Sequence, residues 1–370
     1  MTQSSSLVPI DHDRLLQTFL TLLNVDSYHG DENRVVAVIR PILEPLGITF
    51  RQDAIGNLIG LWPGQGKDGP PIMLNAHMDT VRPTPDMQPV VEDDGVHSDG
   101  SSVLGADDKA GLAAIIEAVL AVHDARLDHV PVDLVFTVGE DVGHIGSKAF
   151  DPADVASRRA FVLDAGGRVG NIIVRAPGQR RFTATLRGRA AHAGLEPELG
   201  ISAIRVLARA IDRMPLGRVD AETTANIGRV EGGMAHNIVA PEATLQAEAR
   251  SLSEARLQEQ VGQMRAAIED AAAAYGAEAE IDERKFYTAY ALQDDDPALQ
   301  LADQAIRASG IDPQHVSTGG GSDAHEFNEM GITSVCLSMG YVDVHTVKEF
   351  MPHDQLRAIA QVSCQLIRLA

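Results

Sequence analysis

The sequence predicts an α/β domain, a sheet flanked by helices, interrupted by a smaller inserted α+β domain. Three observations carry this. Apolar runs of strand length, P-I-M-L-N-A-H, V-D-L-V-F-T-V and A-F-V-L, alternate with stretches of helical spacing before residue 177. Strands that alternate with helices indicate a helix-covered sheet. Near Ala176-Pro177-Gly178 the order changes to strand, helix, strand, strand, helix, strand, and from Pro297 the α/β character returns. The expected boundaries are 1–177 and 291–370 for the α/β domain and 178–290 for a βαββαβ insert of ferredoxin-like type.

The elements follow in order. Residues 11–23 and 33–46 carry apolar positions at helical spacing, the second despite Pro41. Residues 48–62 read as two short strands about Gly56-Asn57. A buried strand leads into H-M-D-T, and 89–100 reads as a loop or hairpin. The stretch S-D-G-S-S-V-L-G-A-D-D-K-A-G (98–111) is a turn-rich loop that enters an apolar helix at about 108–123. A strand at 132–138 ends in G-E-D-V-G-H-I-G-S, and one at 160–163 ends in D-A-G-G. In the insert, strands are expected at 180–188, 223–230, 243–250 and 277–287, with helices at 201–214 and 253–275. A helix at 298–309, the loop S-T-G-G-G-S-D, a helix to 330, a strand at 333–337, a polar loop at 340–349 and a helix at 352–369 complete the chain.

With 370 residues the chain exceeds one ordinary domain, and 44% hydrophobic residues permit a large core. Aromatics are only 4%, so that core is built from Ala, Leu, Val and Ile. A formal net charge of -21 argues against nucleic acid or an anionic membrane as partner. No apolar run reaches the roughly 18 residues of a membrane span. The opening M-T-Q-S-S-S is not a secretory leader, so a cytoplasmic protein is expected. Cys336 and Cys364 lie in or near apolar runs and read as buried free thiols.

In open α/β sheets the site lies beyond the carboxyl ends of the strands. His77, Glu140, Asp141 and Asp164 all fall there. Each alone has a plain alternative. Asp107 and Asp108 suit a helix N-cap, His77 a turn, Glu140-Asp141 a solvated loop. His12, His29, His123, His129 and His353 read as surface residues. Taken together, two His and three Asp form an N and O donor set suited to zinc, cobalt or manganese. Two divalent cations bring four positive charges against three from Asp107, Asp141 and Asp164. Neutrality then requires one water to ionise. Glu140 is left free to take that proton and pass it to a leaving amine.

These motifs resemble the two-zinc exopeptidases that include peptidase T, carboxypeptidase G, succinyl-diaminopimelate desuccinylase and the aminoacylases. The resemblance rests on N-A-H-M-D-T, G-A-D-D-K-A-G, V-G-E-D-V-G-H-I-G-S, L-D-A-G-G, G-R-A-A-H-A-G-L-E-P-E-L-G-I-S-A-I, H-N-I-V-A-P-E-A-T-L, G-G-G-S-D-A and His345, in family order over nearly the whole chain. The stretch around Asp107 looks most like the peptidase T branch, which removes the N-terminal residue of short peptides. By this resemblance His77, Asp107 and Asp164 hold one zinc, and Asp107, Asp141 and His345 the other. Asp79 supports His77, and Glu140 is the general base beside a hydroxide shared by both metals. The resemblance also implies that His192 reaches the substrate or stabilises the tetrahedral intermediate, that Asn237 and Arg250 bind the substrate or support the strand that does, and that Gly319, Gly320 and Gly321 line its cleft. The insert becomes a lid and a homodimer surface. Asp141 stands where the family usually has Glu, one methylene longer. Carboxypeptidase or N-acyl amino acid deacylase action within the same family is the alternative, and an inactive binding protein a more distant one.

Overall fold

The computed structural model describes residues 7–370. Residues 1–6, on which the expectation of no leader rested, lie outside the described residues. Among the described residues no helix is long and apolar enough to cross a membrane. The chain divides into two compact units: one runs to Val174 and resumes at Ala291, and the other is Arg175–Tyr290.

The first unit opens with α1 (His12–Leu23), where the Asp11 side chain accepts the Arg14 N–H at 3.0 Å as an N-cap. Helix α2 (Asn33–Leu43) keeps Pro41 in its last turn and passes into a single 3-10 turn. Strands β1 (Thr49–Gln52) and β2 (Leu58–Trp62) pair antiparallel about a turn. Asp53 fastens that turn by accepting the N–H groups of Ile55, Gly56 and Asn57. Strand β3 (Ile72–His77) is buried throughout, and β4 (Val90–Val91) and β5 (Gly95–His97) form a small hairpin. Helix α3 (Ala106–Asp124) is buried on every side, as an apolar helix without a polar face must be. It packs on β3, α1 and later helix α9. Then come β6 (Val132–Thr137), α4 (Ile145–Ala149), β7 (Arg159–Ala165) and β8 (Asn171–Ala176).

The second unit contains β9 (Gly178–Arg187), α5 (Ala203–Arg213), β10 (Gly217–Arg218), β11 (Thr223–Gly232), β12 (Glu242–Ser251), α6 (Glu254–Tyr275) and β13 (Glu278–Tyr287). Its antiparallel sheet runs β10-β11-β12-β9-β13. Without the two-residue β10 this is the ferredoxin-like order. Alternation sets the faces: Phe182, Ala184 and Leu186 are buried in a core with Val206, Leu257, Met264 and Ile268, whereas Arg181 and Thr183 are exposed.

The chain then adds β14 (Tyr290–Ala291), α7 (Pro297–Ala308), β15 (Gln314–Ser317), α8 (Ala324–Glu329), β16 (Thr333–Ser338), β17 (Phe350–Pro352) and α9 (His353–Leu369). The large mixed sheet runs β1-β2-β6-β3-β7-β16-β8-β14, with β15 paired to β8. Its centre, β6-β3-β7-β16, is parallel. The carboxyl ends of these strands therefore share one edge of the sheet. Two corrections to the sequence reading arise here. Strands β8 and β15 and helix α4 were not anticipated. His129, read as a surface residue, is buried with its ring centroid 3.8 Å from that of Trp62.

Candidate metal centre

Strand β3 delivers His77 at its last position, β6 is followed by Glu140 and Asp141, and β7 carries Asp164 next to its end. Asp107 comes from the start of α3. The continuous helix begins after Asp108, whose Oδ1 accepts the Gly111 N–H as an N-cap does, so the cap is Asp108 and not Asp107. Asp107 and Asp108 have non-helical torsions and are joined by a cis peptide. His345 lies in the loop between β16 and β17, itself at φ 65.

The structure brings these side chains into two groups that share one member. The His77 Nε2 lies 3.2 Å from Asp107 Oδ1 and 3.7 Å from Asp164 Oδ1. The His345 Nε2 lies 3.1 Å from Asp107 Oδ2 and 3.2 Å from Asp141 Oδ1. The two oxygens of Asp107 thus face different histidines. Both triads are compact enough to hold an ion. A tetrahedral zinc with bonds of about 2.1 Å sets its ligand atoms roughly 3.4 Å apart, which agrees with these spacings. Asp141 Oδ2 is buried without a hydrogen-bond partner, leaving a carboxylate oxygen unspent.

The charges point the same way. Burial opposes ionisation of His77, yet Asp107, Asp164 and Asp79 hold its protonated form well above the usual range. Asp107 and Asp141 push His345 up to about 10. Burial raises Asp164, Asp108 and Asp141. A buried cluster of carboxylates that draws protons onto its histidines is one that favours added positive charge. Lys109 does not supply it, because its Nζ donates to the Val25 carbonyl.

A surrounding shell fixes the candidate ligands. Asp79 is fully buried, with its carbonyl 3.1 Å and its Oδ1 3.3 Å from His77 Nδ1. The same carboxylate accepts the N–H of Glu140 at 2.9 Å and of Asp141 at 3.2 Å. Asp108 accepts the His77 N–H at 3.2 Å and the Gly111 N–H at 3.1 Å. A Cβ at Gly111 would stand 2.3 Å from that Asp108 oxygen, so the close approach requires glycine. Glu349 accepts the N–H groups of Gly105 and Asp107 at 3.0 and 3.1 Å. Tyr341 reaches Asp107 Oδ1 with its hydroxyl at 3.4 Å. The sequence reading missed Tyr341 and Glu349. The available signal was their place in the same polar loop as His345.

Glu140 is buried, which pushes it up to about 7 against the opposing pull of His144. With Asp107, Asp141, Asp164 and His345 it lines a cavity of about 160 Å³, and Gly320, Gly321 and Tyr341 are also among the lining residues. Gly319 is not among the lining residues, and it precedes Gly320 in the same loop. The remaining expected residues belong to the second unit. His192 is exposed, and its Nδ1 accepts the N–H of Gly194 at 3.2 Å and of Leu195 at 3.1 Å. That places the ring proton on Nε2. Asn237 is its neighbour, its carbonyl accepting the Ala193 N–H. Arg250, on β12, binds Glu248 through two nitrogens.

The chain is similar to known proteins over most of its length. The family model for peptidase family M20/M25/M40 matches residues 73–369. The uncharacterized protein YqjE of Bacillus subtilis (strain 168) is 41% identical over 369 residues, covering 98% of this chain and 99% of that protein. The crystal structure of aminopeptidase PepT from Bacillus cereus ATCC 10987 superposes with a TM-score of 0.90 at 38% identity, covering 97% of this chain and 98% of that one. A tripeptidase from Staphylococcus aureus subsp. aureus Mu50 gives 0.94 at 37% identity, with the same coverage.

Proposed function

The chain belongs to peptidase family M20/M25/M40, and from that premise we propose that it is a two-metal exopeptidase that removes the N-terminal residue of short peptides. The observation that carries the metal assignment is Asp107, whose two oxygens each face the histidine of a different triad. His77, Asp107 and Asp164 would hold one divalent cation, and Asp107, Asp141 and His345 a second. Zinc suits the donor set, as do cobalt and manganese. Bound there, such ions polarise a scissile carbonyl and acidify a water.

The chain's own residues do the rest. Glu140 takes the proton of the attacking water on its carboxylate and delivers it to the leaving amine. Asp79 keeps His77 and the Glu140–Asp141 turn in fixed relation through the contacts given above. Gly319, Gly320 and Gly321 offer backbone groups to the substrate. His192, with its proton on an outward Nε2, donates to the developing oxyanion. Asn237 and Arg250 bind the rest of the peptide. The similarity to an aminopeptidase and a tripeptidase at 38% and 37% identity supports peptide over acyl-amino-acid substrates. The Arg175–Tyr290 unit serves as lid, and its exposed Leu195, Leu199, Ile204, Val230 and Met234 support a homodimer surface.

The test is cleavage position. The enzyme is incubated with a free tripeptide and its N-acetylated form, and the products are weighed. Loss of one N-terminal residue from the free peptide alone is expected. Loss of the C-terminal residue, or action only on the acetylated compound, would replace this reading with a carboxypeptidase or deacylase.

A further inference from the structure

The turn after β6 holds more than the candidate base. The His144 Nε2 lies 3.1 Å from Glu140 Oε1, and its Nδ1 lies 3.1 Å from Glu326 Oε1. All three side chains are buried. From these contacts we infer that His144, backed by Glu326, is a positioning residue that clamps the Glu140 carboxylate by one oxygen and leaves the other to accept the proton. The inference rests on Glu140 being the general base.

The local backbone is built for this contact. The Glu140 carbonyl accepts the N–H groups of Gly143 and His144 at 2.9 and 2.8 Å, which folds the turn back on the base. His144 itself sits at φ 56, ψ 39, a left-handed conformation that is costly for a residue bearing a side chain. Such a cost persists only where the surroundings over-determine it. Here the ring is held at both nitrogens. An imidazole set between two carboxylates donates to both when it carries both protons, and each contact is then charge-assisted.

Glu326 ties the clamp to a rigid element. It lies on α8, 182 residues further along the chain than His144. Asp323, at the start of the same helix, accepts the hydroxyls of Thr137 and Ser147. Thr137 ends β6 and Ser147 lies in α4, so the helix grips the base-bearing turn on both flanks. An orientation set by a packed helix is what a proton acceptor needs. Misplacement of a reacting group by about 1 Å costs on the order of a hundredfold in rate.

The test uses the metal-loaded full-length enzyme and five variants. In His144→Phe, kcat is expected to fall about 10- to 100-fold with KM and metal content unchanged. His144→Gln, which keeps one N–H for Glu140, should recover most of that loss. Glu326→Gln should lose less than His144→Phe, and the double variant should be no worse than His144→Phe, because both act through one contact. Metal content and the thermal midpoint are measured alongside. A merely structural contact would lower the midpoint without splitting kcat from KM. If His144→Phe does not fold, Glu326→Gln decides, with kcat expected to fall several-fold at unchanged KM. Wild-type kcat in His144→Phe, or in Glu326→Gln where His144→Phe does not fold, beside an inactive Glu140→Ala, overturns the inference and leaves the proposed base intact. Near-normal turnover in Glu140→Ala removes the base, and the inference with it.

Discussion

Asp79→Asn is the substitution whose consequence the structure specifies most fully. Asp79 is fully buried, and its two oxygens accept two backbone N–H groups, one from the candidate base and one from a candidate ligand. Its Oδ1 also lies 3.3 Å from the ring of His77. Asparagine has the same shape but only one acceptor oxygen. Its NH2 must face either the Glu140 N–H or the Asp141 N–H, donor against donor. One hydrogen bond to a charged acceptor is lost, about 1.5–3 kcal/mol, and a buried N–H is left unpaired. We expect a total of about 3 kcal/mol against the geometry of the turn that carries the candidate base and the candidate ligand Asp141. At 1.4 kcal/mol per decade this is roughly a hundredfold, in line with the 10- to 100-fold that supporting partners of metal ligands contribute. The assay is metal affinity by chelator competition, with turnover measured at saturating metal. Affinity should fall 10- to 100-fold, and turnover should fall even when metal is restored. Wild-type affinity and turnover in Asp79→Asn would refute the reasoning.

Four further outcomes are expected. Glu140→Ala should lower turnover about 10²- to 10⁴-fold while both metals remain, and near-normal turnover would remove it as base. Asp141→Glu should keep both metals, because it leaves a carboxylate at that position; loss of one metal per chain by elemental analysis would contradict this, and two metals surviving in Asp141→Ala would remove Asp141 as a ligand. Arg14→Ala removes both side-chain donors to Glu117, a buried carboxylate 2.7 Å from Arg14 Nε. Because Arg14 itself is about a third exposed, the cost should be about 2–3 kcal/mol in urea unfolding, below the range for fully buried pairs; a change under about 0.5 kcal/mol would contradict it. Burial holds His129 below its ordinary value, so the folded state binds fewer protons than the unfolded chain. The contribution of His129 to stability should therefore fall as pH drops through about 6.5, and stability at pH 5.5 relative to pH 7.5 should be higher in His129→Gln than in the wild type. The same ratio in both proteins would contradict that assignment.

What the sequence made legible was whatever its local pattern encodes. The apolar runs of β3, β6 and β7 end in polar residues, and those ends meet because the central strands are parallel and neighbours. The alternation of β9 and β12 was readable for the same reason. Strand β8 was not, since it follows β7 after a short turn and meets β16 over only two residue pairs. Helix α4 has five residues, too few to show a helical period. His129 looked like a polar loop residue, because nothing nearby in sequence announces Trp62 as its cover. Glu349 and Tyr341 meet Asp107 across more than two hundred residues, so only the fold places them there. The clamp on Glu140 is half legible: His144 stands four residues on, but Glu326 comes from another element.

The central claim is that one carboxylate, Asp107, holds two cations at once. Its most direct measurement is metal stoichiometry, by native mass spectrometry and elemental analysis, of the wild type, Asp107→Ala, Asp164→Ala and His345→Ala. The account predicts two ions in the wild type, one in each of the last two variants, and loss of both in Asp107→Ala with the fold retained. Two ions surviving in Asp107→Ala, or a wild type that binds only one, would contradict it.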